Sequence, residues 1–522
     1  MQPKIRALGV ALASTALVVT AGGVAVAQEG VRAEQPAQEI ALAPIDWKPC
    51  DQLPEVECGT LTLPIDWAKP NGEKFGLAVA RRKATDPAKR IGSMVINPGG
   101  PGGSGVSFAM FANEYFSPEI SQKFDIVGFD PRGVARSQPV KCSIDLLQKA
   151  PSDYPKNVAE FDQLIAYNKE LREDCRKQSG PIFDHASTAD VIQDIDAIRR
   201  ALGEKKINYY GVSYGTIMGQ HYAERYGKNI RAMIIDSNMD HSLNTAGFMA
   251  TEARTAEDSF QEWVKWNERT ATAPLHGKDV RKLWKDLLAK ADKGELVDPN
   301  SPDGRKVSTQ ELTGNVVGMA YGPAWKSFSQ WVASLAAGKP AETPVDTKAF
   351  AAAAETAPNP FAAVFCNDYN VRVRNFGEYQ RLVAMENSIA PNTRGSSLGH
   401  GATMGCSGYP EATNPQRPLR IRNAPKILLT NAKHDPATAY EWAVNAHRQS
   451  RDTTVFVTYD GWGHGVYDRS ECTRTINDRY LVDLKLPRNG THCAAVEPVD
   501  GPASASVDTI KVKVPAGPFS VR

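Results

Sequence analysis

The chain has 522 residues, of which 42% are hydrophobic and 23% charged, a globular balance that excludes a disordered, collagenous or coiled-coil protein. At about 150 residues per domain it is long enough for two to four units, or for one α/β core with insertions. Lys plus Arg number 61 against 59 Asp plus Glu, so the formal charge of +2 offers no basic field for nucleic acid or for an anionic membrane.

In chain order, Lys4 and Arg6 precede an apolar run over 7–27 that ends in Ala25-Val26-Ala27. That small-x-small ending reads as signal-peptide cleavage before Gln28. A membrane anchor is the competing reading, because an uncharged run of this length can span a bilayer. Ser14, Thr15, Thr20, Gly22 and Gly23 within the run, with no basic cluster after it, favour cleavage. No cysteine follows the cleavage site, so no lipid anchor is expected. Loss of 1–27 leaves equal numbers of basic and acidic residues, and the expectation is a secreted, extracellular protein with no membrane attachment. Residues 28–43 are polar and aperiodic; they read equally as the propeptide of a zymogen or as a frayed terminus.

Eight cysteines are present: Cys50, Cys58, Cys142, Cys175, Cys366, Cys406, Cys472 and Cys493. The even count without C-x-x-C argues against zinc ribbons and thioredoxin-like sites. Free buried thiols are the alternative to disulfides, and the export signal weakens it. Short loops close at the least entropic cost, so sequential pairing is expected: 50–58, 142–175, 366–406 and 472–493.

Short apolar runs at 93–97 and 124–130 read as buried strands, the first followed by the glycine-rich stretch 97–105. A helix over 188–202 repeats Val191, Ile192, Ile195, Ile198 and Leu202 at helical spacing. Next come a strand at 207–212, a helix at 216–226 and a strand at 231–236. Strands at 426–430 and 453–458 flank a helix at 437–449. Strands alternating with helices imply an α/β fold, a mostly parallel sheet covered on both faces. Over 240–415 the alternation stops, with helical patterns at 259–270, 280–293 and 324–337 and no clear strand. The expected organisation is a core over 44–239, a mainly helical insertion over 240–415, and a second core part over 416–522 with a Cys-rich end. The insertion is either surface decoration or a cap over a site at the carboxyl ends of the strands, and topology favours the cap.

Gly211-Val-Ser213-Tyr-Gly215 lies between a predicted strand and a predicted helix, the context of a nucleophile elbow. The pattern then requires an acid after a later strand and a histidine after the last, in the order Ser, Asp, His. Asp435 follows the run at 426–430, and His464 follows that at 453–458 in a glycine-flanked loop. Asp435 also fits a helix N-cap before Pro436. Asp460 is the competing acid, at the wrong strand position. Of the other histidines considered, His447 falls on a helix, His492 beside Cys493, and His434 before the last strand. An acyl-transfer site also needs two preorganised N–H donors for the oxyanion. These are expected from Tyr214, next to the nucleophile, and from Gly99 or Gly100 in the loop after the third strand. A phosphate loop is the rival for 97–105, but no Gly-Lys-Ser/Thr follows.

The runs 97–105 and 129–137, the elbow 211–215, His434-Asp435 and Gly463-His464 together resemble the secreted tripeptidyl aminopeptidases of Streptomyces-like actinobacteria. These are α/β-hydrolase serine peptidases related to proline iminopeptidase, and the likeness runs from about Asp46 to Cys493. Within that group the chain is similar to prolyl tri/tetrapeptidyl aminopeptidases. It departs from relatives that carry Asp-x-x-Thr-Pro after the acid, having Asp435-Pro-Ala-Thr-Ala439. The resemblance implies the α/β-hydrolase fold, removal of tri- or tetrapeptides from free N-termini of peptides or proteins, and no cofactor or metal. A buried carboxylate is the physical means of recognising the substrate ammonium, since a blocked terminus would leave it unpaired. Asp368 is the expected anchor, pinned by a 366–406 disulfide. Other readings are a secreted carboxylesterase or lipase with the same triad, and a non-catalytic binding protein on the same fold. Sequence does not set the oligomeric state; a monomer is the default expectation.

Overall fold

In the computed structural model, which describes residues 42–51, 53–340 and 356–498, the expected strands form the parallel middle of a larger mixed sheet. The expected leader at 1–27 and most of the 28–43 stretch lie outside the described residues. The strands are β1 (Lys48–Cys50), β2 (Leu53–Pro64), β3 (Lys74–Arg82), β4 (Gly92–Asn97), β5 (Phe124–Phe129), β6 (Lys141–Ser143), β7 (Ile207–Val212), β8 (Ile230–Asp236), β9 (Thr356–Pro358), β10 (Ile427–His434), β11 (Thr454–Trp462) and β12 (Thr491–Cys493). Ten form one sheet in the order β1-β2-β3-β5-β4-β7-β8-β10-β11-β12. From β5 to β12 all neighbours are parallel, while β1, β2 and β3 join antiparallel at the β5 edge.

β4, β5 and β7 are buried at every residue, which explains their continuous apolar runs. Side chains of the parallel strands alternate between two cores. Val95, Tyr209, Met233, Ile235 and Leu429 face one. Met94, Ile96, Tyr210, Ile234 and Leu428 face the other. The helices Thr188–Ala201, Tyr214–Tyr226 and Tyr440–Gln449 cover the first face, through Ile195, Ile217 and Trp442 among others. Gly105–Met110 and Glu471–Asp483 cover the second, through Val106 and Leu481.

Within 240–415 the structure departs from the expectation of a strandless insertion. β9 pairs antiparallel with β6, and an isolated bridge joins Val297 to Lys306. The helices Thr245–Arg269, Val280–Asp292, Thr309–Ala320 and Trp325–Ala337 share an aromatic core built on Trp263, Trp284, Trp325 and Phe328. By contrast Phe361–Asp368 sinks Val364, Phe365 and Cys366 into the first sheet core. All four expected disulfides are present, Cys50–Cys58, Cys142–Cys175, Cys366–Cys406 and Cys472–Cys493, and no described cysteine is free. Among the described residues no helix is long and apolar enough to cross a membrane.

The polar residues of 129–137 hold the sheet's front edge. Asp130 accepts from Val106 N and Arg136 N. Arg132, wholly buried, donates two bonds of 2.7 Å to the equally buried Asp194 and others to the carbonyls of Pro64, Ile65 and His185. Asp194→Asn removes the bidentate counter-charge of that guanidinium and leaves it Asp190, 4.0 Å away. The variant is expected to lose about 3–5 kcal/mol of unfolding free energy in urea titrations. A loss below about 1 kcal/mol would mean that the three carbonyls and Asp190 suffice for Arg132.

Candidate active site

The turn after β7 is built around one strained residue. Ser213 has φ 59° and ψ −126° and caps the helix Tyr214–Tyr226. A Cβ on Gly211 would stand 2.5 Å from Gly215 O, and one on Gly215 would stand 2.7 Å from Asn97 O, so only glycine lets the turn close. Ser213 N donates to Asp236 O (3.0 Å), and Thr216 Oγ1 donates to Ser213 O (2.6 Å). The half-buried serine therefore sits beyond the carboxyl end of the sheet with its backbone tied to β8.

β10 and β11 both run several residues past their expected ends, and they deliver Asp435 and His464 to the same edge. His464 Nδ1 donates to both oxygens of Asp435, at 3.0 and 3.1 Å. Asp435 also accepts from Ala437 N, Thr438 N and Thr438 Oγ1, each at 2.9 Å. Burial would raise its pKa, but the neighbouring His464 and these donors outweigh it and hold the carboxyl below its ordinary value. Gly465, next to His464, packs 3.8 Å from Val212, next to Ser213, if a Cβ is built on it. Asp236, buried between them, is pushed up to about 6, chiefly by burial and against the Tyr210 hydroxyl and Val466 N–H that bond it.

Sequence reasoning missed two neighbours of this pair. Thr438 bridges them, its hydroxyl 3.4 Å from His464 Nδ1, and a threonine three residues past the acid is the signal that was available. Tyr321 comes from the helical insertion: its carbonyl accepts from His464 N (2.8 Å) and its ring meets the imidazole edge-on at 5.1 Å. No sequence spacing leads to that contact. The competing residues lie elsewhere. Asp460 pairs with His492, His447 with Thr454, and His434 with Asp258.

The glycine-rich loop follows β4, because the short β1 shifts the strand count by one. Gly99 lies against the nucleophile turn: a Cβ there would stand 2.7 Å from Tyr214 N. Its own amide donates to Asn97 Oδ1 (2.8 Å), so the expectation that Gly99 is an oxyanion donor is corrected. Gly100, at φ 113°, is the candidate that remains from this loop; the other is Tyr214 N, the first amide of a helix and therefore without an intrahelical acceptor.

Asp368 is likewise corrected as the substrate anchor. It is fully buried, and its two oxygens accept from Thr188 N, Thr188 Oγ1 (2.6 Å), Tyr214 Oη (2.6 Å) and Asn414 Nδ2 (2.8 Å). Burial pushes its pKa up against those donors, and no face is left for an ammonium. What it holds is the residue after Ser213 and the start of the helix Thr188–Ala201.

Another buried acid is differently placed. Glu252, on the helix Thr245–Arg269, is buried, accepts from Ser396 Oγ (2.8 Å) and has no ion-pair partner among the described residues. Burial raises its pKa to about 8, with Asp435 and Glu386 adding to the rise. Farther along that helix Asp258 and Glu262 meet His434, their ligand atoms within 4.8 Å of one another, the one group among the described residues that could hold a metal ion. These side chains are already engaged, His434 with Asp258 (2.7 Å) and Glu262 with Lys265 and Trp462 Nε1.

Comparison with known proteins agrees with this geometry. The α/β hydrolase fold family matches residues 92–470, a span that includes Ser213, Asp435 and His464. A tripeptidyl aminopeptidase of Streptomyces lividans is 31% identical over 495 residues, covering 88% of each chain. The serine protease Hip1 of Mycobacterium tuberculosis is 30% identical over 531 residues, covering 92% of this chain and 96% of that one. A carboxylesterase B of the same species is 29% identical over 501 residues, covering 88% and 92%. A serine on a strained strand-to-helix turn, an Asp–His pair at the ends of the next parallel strands and relatives of this kind have one common explanation: the chain is a serine peptidase of the α/β-hydrolase fold and belongs to the tripeptidyl aminopeptidase family.

Proposed function

We propose that the protein is an exported exopeptidase that releases tripeptides or tetrapeptides from free N-termini, with proline preferred before the cut. His464, held by Asp435 through Nδ1, takes the Ser213 hydroxyl proton on Nε2 as Oγ attacks the scissile carbonyl. The oxyanion that forms accepts from Gly100 N–H and Tyr214 N–H, the latter at the positive end of a helix. The proton then passes from His464 to the departing amine, and water repeats the sequence on the acyl-enzyme. The carrying observation is the Asp435–His464 bond at the same end of the sheet as the elbow serine, with Gly465 facing Val212. Export is supported by four disulfides, which persist in oxidising compartments.

Restriction to chain ends is supported by what stands over the triad. The helices of 240–415 act as a cap, reaching His464 through Tyr321. Glu252 is the cap acid that we assign to the substrate ammonium. A buried carboxyl without a cation gains its counter-charge when an ammonium enters, whereas a saturated one such as Asp368 gains nothing. The esterase reading draws on the carboxylesterase relative. Comparing a p-nitrophenyl ester with a free-amine tripeptide anilide separates the two.

Ser213→Ala is expected to lower turnover of that anilide by roughly 10³-fold or more with little change in melting temperature. Activity within about tenfold of wild type would remove Ser213 from the nucleophile role.

N-acetylation of the anilide should cost at least about 2–4 kcal/mol, roughly 30- to 1,000-fold in kcat/KM. Glu252→Gln should shrink that ratio by weakening only the free substrate. Equal cleavage of free and blocked anilides by wild type sinks the exopeptidase reading; unchanged discrimination in the variant moves the anchor to another acid.

Glu252 also predicts a pH signature. Its folded pKa of about 8 lies above the ordinary carboxyl value, so its stabilising contribution is complete at low pH and is lost as pH rises towards 8. Glu252→Gln lacks this loss. In unfolding titrations the variant should gain on wild type by roughly 1 kcal/mol per pH unit between about pH 5 and 8, then level off. A constant difference across that range would show that Glu252 ionises normally.

A further inference from the structure

The segment leaving β8 carries a backbone anomaly that the catalytic scheme does not use. Six non-glycine residues have positive φ among the described residues: Ala135, Gln138, Ser213, Ser237, Arg394 and Leu484. Ser237, at φ 56°, is the only one that is fully buried. Glycine would adopt this conformation without steric cost, so a serine here needs a reason.

Its hydroxyl supplies one. Ser237 Oγ accepts from Gly465 N (2.8 Å), and the carboxylate of Asp236 accepts from Val466 N (3.0 Å) and Tyr467 N (3.1 Å). Three consecutive amides immediately after His464 are thus captured by two consecutive side chains. Tyr210 Oη donates to Asp236 (2.7 Å) and contacts Tyr115 Oη (2.6 Å), which fixes the carboxylate from below. The same dipeptide grips the other two triad carriers through its backbone. Asp236 O accepts from Ser213 N (3.0 Å), and Ser237 N donates to Thr430 O of β10 (2.9 Å), the strand that leads to Asp435.

We propose that Ser237 and Asp236 are positioning residues that set His464 against Ser213. This rests on the triad assigned above. The left-handed turn at Ser237 is what allows one residue to bond β10 with its N–H and the histidine loop with its hydroxyl. A residue present only for packing has no need of that conformation, and relieving the strain would leave catalysis unchanged.

Ser237→Gly keeps the φ and deletes only the hydroxyl. Its melting temperature should stay near that of wild type, relief of the strained φ offsetting the bond lost at buried Gly465 N, while kcat on a tripeptide anilide falls about tenfold or more with KM within about twofold. The rate of Ser213 labelling by a fluorophosphonate should fall in parallel, and this readout does not depend on peptide specificity. Asp236→Asn, isosteric but with one acceptor oxygen fewer, should reproduce the kcat loss and serves if the glycine variant folds poorly. The proposal is overturned if either folded variant keeps kcat and the labelling rate within about twofold. It is equally overturned if activity falls only as far as the folded fraction does. Failure of wild type to label would instead remove the triad itself.

Discussion

The catalytic end of this protein depends on holding one serine in a conformation that its side chain disfavours. A non-glycine residue in such a region costs about 1–3 kcal/mol and persists only where its surroundings over-determine it. Ser213 is fixed on all sides. β7 lies between β4 and β8, so the turn leaves the middle of the sheet. Gly99 presses against it from the β4 loop, and Asp236 O holds its amide from β8. Two buried phenols secure the residues that follow, Tyr209 through Gly215 O and Tyr214 through Asp368. Stability of the sheet and exposure of the nucleophile are therefore one problem, solved by the same contacts.

The sequence showed the parts of this arrangement that rest on order and spacing. Strand, G-x-S-x-G, helix, then an acid and a histidine after later strands is a one-dimensional pattern, and the parallel sheet turns it into proximity. The disulfides were legible because short loops are entropically favoured in a chain whose first residues read as an export signal. The antiparallel edge was not. β2 and β3 mix Glu, Arg, Gly and Pro with apolar residues, because only part of each strand faces the core, and no continuous run announces them. Ser237 and Tyr321 were invisible for another reason: their importance lies in a backbone angle or in a partner far away in the chain, whereas Thr438 stood three residues past the acid.

Asp368 and Glu252 show why an acid near a disulfide is a poor guide to ligand binding. Both are buried, and burial raises the pKa of both. The difference is the donor count. Asp368 has hydrogen bonds to both oxygens from three residues, so its charge is spent on the fold. Glu252 has Ser396 and two acidic neighbours, an environment that penalises its own charge. Only the second is improved by a visiting cation. The same accounting of donors moved the oxyanion role from Gly99, whose amide is taken, to Gly100.

The wall over the triad is tied to the strands that carry it. Along the helix Thr245–Arg269, Thr251 accepts from Trp442, Arg254 pairs with Glu441, Asp258 with His434, and Glu262 accepts from Trp462. Each partner lies on β10, on β11 or on the helix between them, within a few residues of Asp435 or His464. Lifting this helix as a lid would uncover Trp442 and break the polar contacts of buried Glu262 and Thr251, a cost that opposes opening. On the proposed function, a wall held this way would limit how much substrate chain extends beyond the scissile bond without any moving part. Measuring the distance from a free terminus would then be a matter of fixed geometry between Glu252 and Ser213. Length selection and triad alignment would draw on the same few contacts, and the cap would specify a short leaving peptide on a core shared with enzymes of quite different substrates.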